Sequence, residues 1–183
     1  MTDARQLDVV FCWHMHQPQY RRAIDREYQL PWTYLHAIKD YADMAWHLER
    51  SPSARAVVNF TPVLLDQLDD YADQFASRRF RNPLLQGLAE PASVPAASRP
   101  ALLAGLLRAN EARMIRRFEP FARLRTIFES ARVDDHVEYL SDGYLADLAV
   151  WYHLAWIGES IRRHEERVQR LMSKAASFDA ADR

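Results

Sequence analysis

The run LDVVFCWHMHQPQY at residues 7–20 decides the fold. Its first half is short, apolar and rich in β-formers without alternation, which predicts a strand over 7–13 covered on both faces, as in a parallel sheet. Pro18 has no N–H to give a ladder and disfavours helix just before it, so the strand opens into a loop near Gln17 that runs to about Pro31. Beyond that loop Leu35, Ile38, Ala42, Ala45 and Leu48 recur at steps of three and four, predicting an amphipathic helix that stops near Ser51-Pro52. ARAVVNF at 54–60 repeats the buried-strand pattern. Thr61-Pro62 then reads as an N-cap with proline in the first turn, and Leu64, Leu68, Tyr71 and Phe75 form the stripe of a second helix. The order is βαβα, which implies parallel strands.

Further on the rhythm changes. Pro83, Pro91, Pro95 and Pro100 punctuate a loop-rich region, and from about 99 to 174 there are helical periods and no strand. Leu102, Leu103, Leu106 and Leu107 begin one helix, and Phe121, Leu124 and Phe128 mark another. A third starts at Ser141-Asp142 and buries Leu145, Leu148, Tyr152 and Ala155 or Trp156, and a fourth carries Val168 and Leu171. Two parallel strands alone leave both sheet edges unpaired. SFDAADR at 177–183 reads as an N-cap serine and the acidic first turn of a new helix. The expectation is therefore that residues 1–183 form the amino-terminal part of a larger α/β domain truncated at its carboxyl end, with two βα units at 7–76 and a mostly helical insertion at 82–175.

Composition narrows the function. With 49% apolar and 27% charged residues, 4 Gly and 9 Pro among 183, the chain reads as folded and helix-rich. Lys plus Arg (24) balances Asp plus Glu (25), so neither a nucleic acid nor an anionic membrane is the expected partner. Cys12 is the single cysteine, and no internal disulfide can form. No run approaches about 18 apolar residues and MTDARQLD at 1–8 lacks a basic region before an apolar one, so the expected location is the cytoplasm.

The chemistry concentrates at the end of the first strand. Alternation puts Cys12, His14 and His16 on one side and Trp13 and Met15 on the other, so two imidazoles converge where α/β folds place ligands. Three readings stay open: histidines satisfied by backbone groups, two nitrogen ligands of a metal, or hydrogen-bond partners for sugar hydroxyls beside a Trp13 or Trp32 platform. A zinc site needs further ligands, whereas His36, His47, His136, His153 and His164 sit in predicted helices or loops without a second paired motif.

CWHMHQPQY at 12–20, LPWTYLHAIKDYADMAWHLE at 30–49 and VVNFTPVLLDQLDDYA at 57–72 resemble the beginning of glycoside hydrolase family 57, the α-amylase and glucanotransferase group. DLAVWYHLAWIG at 147–158 and LMSKAASFDAADR at 171–183 resemble the helical segment inserted after its second strand. This resemblance implies an incomplete seven-stranded β/α barrel that acts on α-glucosidic bonds with retention, using a Glu nucleophile and an Asp general acid on later strands. It implies no cofactor and no metal. The second family motif, a Gly-x-x-Glu after a strand, is expected beyond Arg183, so no catalytic carboxylate is expected in this chain. Gly87-Leu88-Ala89-Glu90 has that spelling but sits in a Leu-rich helical stretch. Carried over by motif, His14, His16 and Gln17 are similar to residues lining the innermost sugar subsites, with Trp32 at the border of the same cleft. The implied partners are an α-glucan or maltooligosaccharide and the remainder of the catalytic domain. Two other functions stay in view: a non-enzymatic glucan-binding remnant, and a metal-dependent deacetylase or hydrolase using His14 and His16.

Other prominent residues have structural readings. Trp151 and Trp156 are expected in helix packing, Asp69-Asp70 and Arg78-Arg79 at solvated helix ends, and RRHEER at 162–167 on an exposed face of weak ion pairs. Cys12 is expected to be small and buried. His36 and Asp40, four apart, can face each other along the first helix.

Overall fold

The structure is a computed structural model and describes residues 9–183. Leu7 and Asp8 of the expected first strand, and the start MTDARQLD, lie outside the described residues. Strand β1 (Phe11–Met15) pairs in parallel with β2 (Ala56–Phe60), in a register that runs from Phe11 opposite Ala56 to Met15 opposite Phe60. The Thr61 N–H then donates to the Met15 carbonyl at 3.1 Å, so chain exit from β2 is tied to the end of β1.

The helix expected after Pro31 forms as one run with a widened turn in it. α1 (Trp32–His36) leads into a π-helical turn (Ala37–Tyr41) and on into α2 (Ala42–Glu49). The Ile38 carbonyl within this turn accepts from the Gly158 N–H at 2.9 Å. Gly158 is required there, because a Cβ would lie 2.6 Å from an Asp43 carboxylate oxygen and 2.9 Å from the Lys39 carbonyl. After β2, α3 (Pro62–Ser77) begins with Pro62 in its first turn, as predicted, and Arg78 closes it in the left-handed region at φ 52°. Thr61 has the extended backbone of an N-cap, but its hydroxyl makes no cap bond.

The inward face of α3 differs from the apolar stripe read in the sequence. Leu64 and Tyr71 are buried, yet Phe75 is exposed, and the residues beside them are Gln67, Asp70 and Gln74, all buried. The reason is the neighbour: α3 packs on the irregular chain 16–31, whose backbone groups need partners that an apolar face cannot offer. Gln67 donates to the Pro18 carbonyl at 2.9 Å and accepts from the Tyr20 N–H at 3.1 Å. Asp70 accepts from the Tyr28 hydroxyl at 2.9 Å and the Gln74 amide at 2.8 Å, and pairs with Arg21, Arg26 and Arg81. The expectation that Asp69-Asp70 is a solvated helix end is corrected for Asp70.

The rest of the described chain is helical: α4 (Pro83–Ala89), α5 (Arg99–Leu106), α6 (Glu119–Val133), α7 (Asp142–Trp156), α8 (Glu159–His164) and α9 (Glu166–Lys174). α4 falls in the proline-punctuated region because Pro83 occupies its first turn and the Asn82 side chain accepts from the Leu84 N–H at 2.9 Å. Gly87 lies inside α4, where a Cβ would come within 2.7 Å of Leu102 on α5, so its role is close packing.

α7 is the hub. Ser141 caps it as predicted, its hydroxyl accepting from the Tyr144 N–H at 3.1 Å. Every residue from Leu148 to Trp156 is buried, because α4, α5 and α6 enclose the helix. Trp151 is packed as expected, and its indole N–H donates to the Ala175 carbonyl at 2.7 Å. Arg162, read as part of an exposed charged face, is instead buried against the end of α7, donating to the carbonyls of Leu154 and Ala155 and pairing with Glu159. Those carbonyls at a helix end have no partner within the helix, which explains a buried guanidinium there. Residues 177–183 start no helix. Ser177 has φ 60°, its N–H and that of Phe178 donate to Asp147 at 2.9 Å, and Phe178 is buried.

Candidate functional site

The side-chain alternation of β1 brings His14 and His16 together as the sequence predicts. Their rings stack with centroids 6.0 Å apart and planes 12° from parallel. His14 stands opposite Asn59 in the register, and its Nδ1 lies 2.7 Å from the Asn59 amide oxygen. An amide oxygen only accepts, so Nδ1 carries a proton and donates to it, which leaves Nε2 free to face a ligand. Asn59 was not among the predicted site residues. Its signal was the one polar residue near the end of the apolar run ARAVVNF, three positions before the proline that opens α3.

Gln17 continues the cluster. Its amide donates to the Tyr41 hydroxyl at 3.4 Å and its carbonyl accepts from the Tyr20 hydroxyl at 3.1 Å, so both ends of the amide are oriented. Burial and the nearby Tyr41 push the Tyr20 hydroxyl above its ordinary pKa. Tyr41 comes from the π-helical turn and stacks near His36 at 6.3 Å, and His36 Nδ1 meets the Asp40 carboxylate as the four-residue spacing predicts. Neither tyrosine was predicted: Tyr41 comes from a widened turn that shifts side-chain direction in a way regular spacing cannot show, and Tyr20 lies on irregular chain with no periodicity to read.

Cys12 is exposed, a correction to its expected burial: the face of the two-stranded sheet on which it lies has no cover among the described residues. Met15, pointing the other way, is buried. Trp32 sits apart from the histidines. It packs on Trp156 with centroids 5.9 Å apart and walls a cavity of about 960 Å³ shared with Tyr28 and Tyr152. No hydrogen bond or ring contact joins it to His14, His16 or Gln17 among the described residues. Among the described residues no three His, Cys, Asp or Glu side chains are grouped closely enough to share a metal ion. Gly87 to Glu90 occupy α4 and its end rather than the end of a strand.

This cluster can therefore offer hydroxyl-binding groups: a His14 ring nitrogen, the His16 imidazole and an oriented amide at the carboxyl end of a parallel strand. The family model of glycosyl hydrolase family 57 matches residues 10–179, which takes in both strands, the histidine cluster and the helical segment. The chain belongs to glycosyl hydrolase family 57. No curated protein and no solved structure matches it. Membership makes the activity class that of a glycoside hydrolase and the substrate a carbohydrate. The fold of this family 57 chain is mixed α/β, mostly helical, with a small parallel sheet. No helix among the described residues is long and apolar enough to cross a membrane.

Proposed function

We propose that the chain is the amino-terminal part of a retaining α-glucan hydrolase or transglycosylase, in which His14, His16 and Gln17 hold the innermost glucosyl unit. The observation that carries this reading is the stacked His14–His16 pair, braced by Asn59, at the carboxyl end of β1. Imidazole nitrogens and an oriented amide suit a pyranose, whose hydroxyls both give and accept hydrogen bonds. Trp32 lines a separate aromatic cavity that none of His14, His16 and Gln17 lines, and takes no part in holding that unit.

Retention needs two carboxyl groups about 5 to 5.5 Å apart, one ionised to attack the anomeric carbon and one protonated to release the leaving oxygen. We assign the pair to later strands of the domain, outside residues 1–183. Support comes from the sheet itself. Phe11, Val57, Val58 and Phe60 are exposed on a pair of parallel strands, a class of sheet that is covered on both faces in complete folds. The remainder of the catalytic domain is their natural cover. The 183-residue chain by itself is then inactive: reducing-sugar release from soluble starch is expected to equal that of a His16→Ala control. Turnover clearly above that control would place catalytic carboxylates within the chain and overturn the assignment.

A further inference from the structure

A second cavity, of about 750 Å³, lies between the widened turn after α1, the junction of α7 and α8, and the π-helical turn at Glu111–Ile115. Of the four predicted sugar-binding residues only Trp32 borders it; Trp156, Lys39, Asn110, Arg108 and Arg113 complete the part that matters here.

Its charges do not balance. Of the two acids on its wall, Glu159 is shared by Arg117, Arg162 and Arg163. Asp43 accepts from the backbone N–H groups of Glu159 and Ser160 at 2.9 Å, at the start of α8. Glu111, the acid nearest in sequence to the two remaining arginines, is taken by Arg116 and Arg125. Arg108 and Arg113 are left with no carboxylate within ion-pair distance among the described residues. The Lys39 ammonium lies 5.2 Å from the Trp156 ring centre but is answered by the Asp40 carboxylate at 3.6 Å, so the excess positive charge is that of the two arginines.

One polar atom is also unsatisfied. The Trp156 indole N–H, near the Tyr152 hydroxyl, makes no well-aligned hydrogen bond although the residue is only 9% exposed, and a buried donor without an aligned acceptor is costly unless something supplies one.

We propose that this cavity binds a phosphorylated sugar. Arg108 and Arg113 would take the phosphate, since guanidinium groups match its oxygens with charge-assisted, bidentate bonds. Trp32 would cover an apolar face of the sugar ring, and a ligand oxygen would accept from the Trp156 N–H. A neutral glucan would leave the excess positive charge unanswered, and a bare phosphate would leave the indoles uncovered. The site shares no lining residue with His14, His16 or Gln17 and stands independently of the function proposed for them.

The test titrates the 183-residue chain with glucose 1-phosphate, followed by calorimetry and by tryptophan fluorescence, with inorganic phosphate and maltose as separate arms. Saturable binding is expected, weakened at least about tenfold in an Arg108→Ala, Arg113→Ala double variant. Both arginines are exposed, so the melting temperature of the variant should stay unchanged. Inorganic phosphate and maltose should each bind at least about tenfold more weakly than the sugar phosphate. Absence of saturable binding at millimolar ligand, or a double variant that keeps the parent affinity, would overturn the proposal. Inorganic phosphate as tight as the sugar phosphate would overturn the sugar assignment, and maltose as tight would overturn the phosphate assignment.

Discussion

Replacing Asp70 with alanine should cost about 1 to 3 kcal/mol of unfolding free energy, because it leaves the buried Tyr28 hydroxyl and Gln74 amide without their acceptor and takes one counter-ion from Arg81, whereas Arg21 keeps Asp66. Asp70 is 9% exposed and is the point where α3, the chain 16–31 and Arg81 meet. It accepts from Tyr28, whose own N–H donates to the Arg81 carbonyl at 3.0 Å, so the excursion between β1 and α1 is pinned there. Its neighbour Asp69 is exposed, and Asp69→Ala should change stability by less than about 0.5 kcal/mol. Urea unfolding of the two variants side by side is decisive: equal midpoints would mean that the Asp70 cluster is an ornament of the surface. Acidity gives a second handle. Burial alone would raise the Asp70 carboxyl, but bonds from Arg81 and Tyr28 and the charges of Arg81 and Arg21 outweigh it and hold it down to about 2. Because the folded value lies below that of the unfolded chain, about 3.9, the stabilisation is present above that pH and fades as pH falls through 2. The Asp70→Ala variant should therefore show a shallower acid limb in that window.

A different window belongs to His153. It is buried on α7, with Nδ1–H donating to the Ala149 carbonyl at 2.7 Å and Nε2 accepting from the Tyr34 hydroxyl at 3.2 Å. Burial, only partly offset by the Ala149 bond, brings its pKa down to about 4. The unfolded chain takes up this proton near pH 6.5 and the folded one does not until about 4. Stability must then fall as the pH drops from 6.5 to 4, and a gap of that size is worth about 3 kcal/mol. His153→Phe would lose some stability at neutral pH, through the Tyr34 hydroxyl left without its acceptor, but should show a much flatter profile between 6.5 and 4. A variant with the parental slope would show that other groups carry the acid sensitivity.

These two residues also mark how far the sequence could be read. Elements governed by local rules were legible: the alternation that pairs His14 with His16, Pro62 opening α3 and Ser141 capping α7 all depend on residues a few positions apart. What was illegible depends on partners distant in the chain. Nothing near Asp70 announces that Arg21, 49 positions earlier, will reach it, and nothing in RRHEER says that Arg162 will bury itself on the carbonyls of α7. The spacing of Leu145, Leu148 and Tyr152 reads as the stripe of an amphipathic helix, yet α7 from Leu148 to Trp156 is enclosed by helices that local spacing cannot position. At the candidate site the histidines and Gln17 were visible as a motif. Asn59 needed the register of β2, and Tyr41 needed the widened turn that Gly158 helps to hold.

The most direct test of glucan binding by the histidine face is calorimetric titration of the chain with maltoheptaose, run beside His14→Ala and His16→Ala. Saturable binding in the parent, weakened at least about tenfold by either substitution, is the expected result. Absence of binding in the parent, or an affinity unchanged in both variants, would contradict a role for His14 and His16 in holding sugar.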